Sequence, residues 1–204
     1  MANYVSRPHL HRQLHDKKRD ATDTRILVVH GLGGSGKSQL VLNYVQEYRD
    51  DYLTIFWVAA GQKESIERDY LQIHRLLFNL RPVTGPDAVR IEDVVAEVKR
   101  WFHGQTERSL VVLDNADAID DDKSYPNFEF FLPDAPTVDV IITTRHAGAA
   151  EMTTLAAVEV GEMDTTEAAE LFQKYAKLQS SRPDMNTEVL QIVAELASLR
   201  WQSR

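Results

Sequence analysis

The stretch Gly31-Leu32-Gly33-Gly34-Ser35-Gly36-Lys37-Ser38 decides how the rest of this chain is read. Its spacing is G-x-x-x-x-G-K-S. The glycines let the main chain curl around an anion with its N–H groups pointing inward. Lys37 brings a positive charge to the β- and γ-phosphates, and the Ser38 hydroxyl is able to ligate Mg²⁺. The following helix adds the positive end of its dipole, next to Gln39. Gly33, Gly34, Ser35, Gly36, Lys37, Ser38 and Gln39 are therefore the candidate phosphate contacts. The flanks agree with this reading. Arg25-Ile26-Leu27-Val28-Val29-His30 is an apolar run of strand length, and Leu40, Val41, Tyr44, Val45 and Tyr48 follow with helical spacing.

Outward from the loop, short apolar runs alternate with helical patterns. This predicts an α/β fold with a mostly parallel five-stranded sheet in three layers, followed by the start of a small helical subdomain. The strand candidates are Ile26–Val29, Leu53–Ala59, Leu110–Leu113, Val138–Thr143 and Leu155–Val160. They are rich in Val, Ile and Leu with little alternation, as in strands covered on both faces. Ile66, Tyr70, Ile73 and Leu77 share one face of a helix near 64–80, which the run Arg81–Pro86 ends. Ile91, Val94, Val95, Val98 and Phe102 line the next helix. The stretch 115–136 is irregular and acidic, but Phe128, Phe130, Phe131 and Leu132 are expected to pin it to the core.

Beyond Val160 only helices are expected, so the boundary falls between a nucleotide-binding domain at 1–162 and a helical part at 163–204. Asp164-Thr165-Thr166-Glu167 has the form of a capping box with Asp as the cap. One apolar stripe follows at Ala168, Leu171, Phe172, Tyr175 and Ala176, and a second at Val189, Ile192, Val193, Leu196 and Leu199. Two such helices need the sheet domain or a partner to bury both stripes. The chain closes on Leu199–Arg204 without a cap signal and reads as a piece of something longer.

A phosphate loop of this type needs a second carboxylate at another strand end, to hold the magnesium–water shell. Asp114 ends the apolar run Ser109–Leu113 and takes that role. The next residue, where many ATPases carry a general base, is Asn115, which accepts no proton at neutral pH. Asp117 is the next acid, either a base or water-positioner or a solvated loop residue. Hydrolysis is expected to be slow. Arg145 ends Val140-Ile141-Ile142-Thr143-Thr144, and its guanidinium either reports a γ-phosphate or caps a strand at the surface.

The order of these pieces resembles the NB-ARC branch of the STAND P-loop NTPases, which includes plant disease-resistance proteins, the apoptotic protease-activating factor and many fungal NOD-like receptors. Val5-Ser6-Arg7 is similar to the segment whose backbone and arginine contact adenine. Phe56-Trp57-Val58 matches the aromatic second strand, and Ile142-Thr143-Thr144-Arg145 the T-T-R sensor. Glu167-Ala168-x-x-Leu171-Phe172 matches the opening of the helical ARC region. The resemblance implies that Val5, Arg7, Thr144 and Arg145 contact nucleotide, with Ser38 and Asp114 on the metal. It further implies ADP or ATP with Mg²⁺ as ligand, and a cytoplasmic ADP/ATP switch module within a longer receptor chain. The fragment itself would be a monomer, while the full-length receptor oligomerises when activated. Two features depart from the pattern. Asn115 replaces the usual second acid, and the spaced acids are closer to the NACHT branch. The Gly-x-Pro element and winged-helix histidine do not occur in these 204 residues.

Rival readings are a small P-loop kinase passing phosphate from ATP to a small acceptor, and a GTPase. The first lacks a clear arginine-bearing lid. The second lacks Asn-Lys-x-Asp. The bulk numbers are those of an ordinary globular chain, 43% hydrophobic and 26% charged. A net charge of −8 argues against nucleic acid or anionic membrane as a general partner. There is no cysteine, hence no disulfide framework. No apolar stretch reaches the roughly 18 residues of a membrane span, and Met1–Arg12 lacks the apolar segment expected of a signal peptide. His11 and His15 stand at i and i+4 on a predicted first helix and are read as its solvated face. His30 is read as strand-end packing, Trp57 as core, Asp120–Asp122 as a solvated loop, and Lys17-Lys18-Arg19 as too short for a nucleic-acid site.

Overall fold

The structure is a computed structural model that describes residues 4–15, 23–81, 89–117, 128–153, 156–176 and 187–195. Asp120–Asp122, Lys17–Arg19, Leu155, Leu196, Leu199 and the closing residues 199–204 lie outside the described residues, as does most of the predicted break at 81–86. Contacts divide the chain into two compact units. One is His9–Val160, and the other joins the stretch up to Pro8 with the segment from Gly161 onward.

In the larger unit, five strands form one sheet: β1 (Arg25–His30), β2 (Thr54–Ala59), β3 (Ser109–Asp114), β4 (Val138–Thr144) and β5 (Val158–Glu159). Their spatial order is β2-β3-β4-β1-β5, and every pairing is parallel. The register brings the carboxyl ends level. His30 pairs with Thr144, Leu113 with Ile142, and Ala59 with Asp114. The last strand is shorter than its sequence pattern, with two residues paired to Val29 and His30.

Strand side chains alternate between two cores, which makes the three layers. Val28, Val58, Val111, Leu113, Val140 and Ile142 face α3 (Lys63–Phe78), α4 (Ile91–His103) and the short 3-10 turn Phe128–Phe131. Leu27, Val29, Leu110, Val112 and Ile141 face α1 (Pro8–His15) and α2 (Lys37–Glu47). Phe128 and Phe131 are buried in the core, as the pattern predicts for these residues. At the amino ends of the strands, buried Asp139 accepts hydrogen bonds from Tyr52 Oη at 2.9 Å and Arg108 Nη2 at 2.5 Å, with Arg25 Nη1 3.7 Å away.

Two expectations need correction. Trp57 is 37% exposed rather than core, because β2 is an edge strand; its neighbour Phe56 takes the core position against Trp101 and Phe102. His11 is buried and bonds Glu47 of α2 at 2.9 Å, so it does not belong to a solvated face, whereas His15 is exposed and stacks on Tyr48. His30 does end β1, where its carbonyl accepts the Val160 amide.

In the smaller unit, α5 (Thr165–Ala176) begins at the predicted capping box. Asp164 Oδ1 accepts the amides of Thr166 and Glu167, and Glu167 Oε2 accepts the amide of Asp164. Its stripe is buried less deeply than the pattern suggests: Ala169 is buried, Leu171 and Phe172 are half-buried, and Tyr175 is exposed. Residues 187–195 are helical, with Val189 buried and Ile192 exposed.

Candidate nucleotide site

The site lies at the carboxyl ends of β1, β3 and β4. Parallel α/β sheets gather ligands there, since loops and helix amino termini converge on that edge. The chain leaves β1 through Gly31 at φ 149°, where a Cβ would sit 2.4 Å from the Val160 carbonyl oxygen. Only glycine allows that approach. Gly36 at φ 91° then turns the chain into α2 and offers no side-chain cap to the first-turn amides. Lys37 Nζ lies back across the loop, donating to the carbonyls of Gly31 and Leu32 at 2.9 Å each. Burial lowers the ammonium's pKa, with Asp117 opposing, Arg145 reinforcing and Asp114 opposing that shift.

Asp114 sits at the centre of a small network. Its Oδ1 accepts the Ser38 hydroxyl at 2.7 Å and the Thr143 hydroxyl at 2.6 Å, while Thr143 Oγ1 accepts the Asn115 amide at 2.8 Å. The β3–β4 register makes this contact, because Leu113 pairs with Ile142 and so sets Asp114 beside Thr143. Asn115 takes the left-handed conformation, φ 62°, which a short amide side chain tolerates. Asp117 Oδ1 accepts the Arg145 amide at 2.7 Å and the Thr144 hydroxyl at 3.4 Å, and its Oδ2 accepts Arg145 Nε at 2.5 Å.

The structure thus brings Lys37, Ser38, Asp114, Asp117, Thr144 and Arg145 to one edge, next to Gly33–Gly36. Gln39 is exposed on the first turn of α2. Val5 and Arg7 belong to the other unit. There the Arg7 guanidinium is held by Glu167 Oε1 at 3.2 Å and by the carbonyls of Gly161 and Glu162, and Lys174 Nζ holds the Tyr4 carbonyl at 2.6 Å. Sequence reasoning missed Thr143 as the residue that fixes Asp114, and Glu167 as the partner of Arg7. The T-T-R motif carried the first signal, since its two threonines end the strand beside Asp114.

The residues present fit a nucleotide with magnesium. Ser35 Oγ is buried without a hydrogen-bond partner among the described residues, and the amides opening α2 are uncapped by any side chain of Gly36. Ser38 and Asp114 are hard oxygen donors suited to Mg²⁺, which takes most of its ligands from water and phosphate. The described residues include no group of three or more acidic, His or Cys side chains able to cage a metal alone.

A glycine-rich loop between strand and helix, set against an acid and an arginine on neighbouring strand ends, defines a P-loop nucleotide-binding module. The profile of the NB-ARC domain matches residues 9–182, and the chain belongs to that family. Among solved structures, Cdc6p from Pyrobaculum aerophilum aligns with a TM-score of 0.63 at 14% identity, over 93% of this chain and 56% of that one. Drosophila ORC bound to DNA aligns at 0.61 and 14%, over 92% and 48%. A STAND protein with a tetratricopeptide repeat sensor from Pyrococcus horikoshii aligns at 0.54 and 15%, over 94% and 28%. These likenesses carry the fold, and this chain spans 28–56% of those three structures. No curated protein sequence matches the chain. It is a nucleotide-binding module of the STAND type. No helix among the described residues is long and apolar enough to cross a membrane.

Proposed function

We propose that this chain is the ADP/ATP-binding switch module of a larger cytoplasmic receptor of NOD-like type, with slow hydrolysis. The observation that carries the reading is the meeting of Lys37 and Ser38 at the start of α2 with Asp114 at the end of β3 and Arg145 just after β4, at one edge of the sheet. Lys37 and the loop amides hold the phosphate chain. Ser38 and Asp114 hold Mg²⁺, which when bound neutralises phosphate charge. Arg145 distinguishes a triphosphate from a diphosphate, and Val5 and Arg7 belong to the adenine end. A ligand shifts a two-state protein only by its differential contacts with the two states, and the terminal phosphate supplies that difference here.

Slow turnover follows from Asn115, which stands where a base would and cannot take a proton. The partners are the remaining domains of the receptor. The net charge of −8 disfavours nucleic acid.

Isothermal titration calorimetry with ADP tests the reading. The native chain is expected to bind, and Lys37→Ala to lose at least about tenfold in affinity, since a charged hydrogen-bonding partner contributes roughly 1.5–3 kcal/mol. Unchanged affinity in Lys37→Ala would refute the phosphate-loop assignment. Denaturing the purified protein and identifying released nucleotide by chromatography gives a second view, with ADP expected.

A further inference from the structure

Asp117 has two carboxylate oxygens, and Arg145 with its neighbour Thr144 occupies both of them. One oxygen grips the arginine's main-chain amide and the other its Nε. A side chain held at its amide and at Nε has its position fixed at both ends of the aliphatic stem. The fork beyond Nε stays free: neither Nη nitrogen has a hydrogen-bond partner among the described residues. The Asp117 side chain is 11% exposed, whereas that of Arg145 is 61% exposed, so a buried acid anchors a projecting cation. The direction of projection is set as well. A Cβ built on Gly33 would lie 3.6 Å from Arg145 Cδ, which places the arginine stem against the phosphate loop.

We propose that Asp117 is a positioning residue, which holds Arg145 so that its two Nη groups face the terminal phosphate of a triphosphate. The proposal rests on the nucleotide-switch reading above. Under it, Asp117 is not the general base. Each of its oxygens already accepts a hydrogen bond from Arg145, and its contribution is to recognition. An arginine tethered through Nε still offers four N–H donors in a planar fork, enough for bidentate contact with a phosphate. An untethered one must give up the rotamer freedom of a long side chain on binding. Asp117 is also the largest charge influence on Lys37, so the same carboxylate holds both cations in one electrostatic group.

The test is calorimetric titration of the native chain and its variants with Mg·ADP and with a non-hydrolysable Mg·ATP analogue. Asp117→Asn is expected to lower the ratio of analogue to ADP affinity about five- to tenfold, the scale of one charge-assisted phosphate contact. Arg145→Ala is expected to lower the ratio similarly, and the double variant to be no worse than Arg145→Ala alone, because residues acting as a unit are not additive. Arg145→Lys gives an independent arm: an ammonium bound by Asp117 has no fork left to present, so this variant is expected to match Arg145→Ala. An unchanged or raised ratio in Asp117→Asn, additive losses in the double variant, or a retained ratio in Arg145→Lys each overturns the proposal. Loss of ADP binding in proportion to analogue binding overturns it too, since that marks a purely structural role. Failure of the native chain to bind either nucleotide would instead sink the switch reading and this proposal with it.

Discussion

At the residue scale, the site is held by a few hydroxyl and carboxylate contacts whose loss has a definite cost. Thr143 is the clearest case. It is 1% exposed, donates to Asp114 and accepts from the Asn115 amide. Thr143→Val keeps the shape and removes both bonds, leaving the half-buried Asp114 Oδ1 with Ser38 as its remaining donor and the Asn115 main-chain N–H without this acceptor. We expect a loss of about 1–3 kcal/mol in urea unfolding, together with a weaker magnesium dependence of nucleotide binding. Stability equal to the native chain would show that Asp114 does not depend on Thr143. The individual residues of the loop, with Asp114 and Arg145, were legible in the sequence because each sits in a short local pattern. Their partners were not. The pairs Asp114–Thr143 and Asp117–Arg145 each lie 28 or more positions apart and meet only because β3 and β4 are neighbours. Arg7–Glu167 spans 160 positions.

At the scale of the elements, hydrophobic period found the strands and helices and erred where exposure depends on neighbours. Trp57 sits in an apolar run that reads as buried, but an edge strand has no second neighbour to cover it. His11 reads as solvated in the sequence, yet Glu47 on α2 meets it. The capping box of α5 was fully legible, because its chemistry is contained in four consecutive residues. Asp164 satisfies two first-turn amides, at 2.8 and 2.7 Å. Asp164→Ala is therefore expected to destabilise this helix by about 1 kcal/mol. Amide hydrogen exchange at Thr166 and Glu167 is the measurement; protection at those amides matching the native chain would mean that the cap does not hold the helix.

For the whole molecule, the polar cluster at the amino ends of the strands opposes the nucleotide edge across the sheet. Asp139 answers Arg108, Arg25 and Tyr52 inside the protein. Removing one partner of a buried charge group leaves the others uncompensated, so Asp139→Ala is expected to cost about 3–5 kcal/mol in chemical denaturation. The same cluster sets an alkaline limit. Burial foremost, then Asp139 and Tyr44, raises the Tyr52 phenol above its ordinary value of 10.0. The unfolded chain then gives up this proton at lower pH than the folded one. The contribution is intact below about pH 10 and lost as pH rises beyond it. Tyr52→Phe is expected to flatten the fall in stability above that pH, read from melting temperatures across an alkaline series; an identical slope would dissociate Tyr52 from the effect.

The strand order has one more consequence. β1, which delivers the glycine loop, pairs only with β4 and β5, so Arg25 waits for Asp139 and Val29 for Val158. A nascent polypeptide that has emerged from the ribosome as far as α4 contains the entire Gly31–Ser38 signature but lacks both strands that lock it in place. Closing so long a stretch of chain is slow, and until then the apolar edges of β1 stand open to aggregation. The ability to grip a nucleotide is acquired late in synthesis, and chaperone protection matters most during that interval.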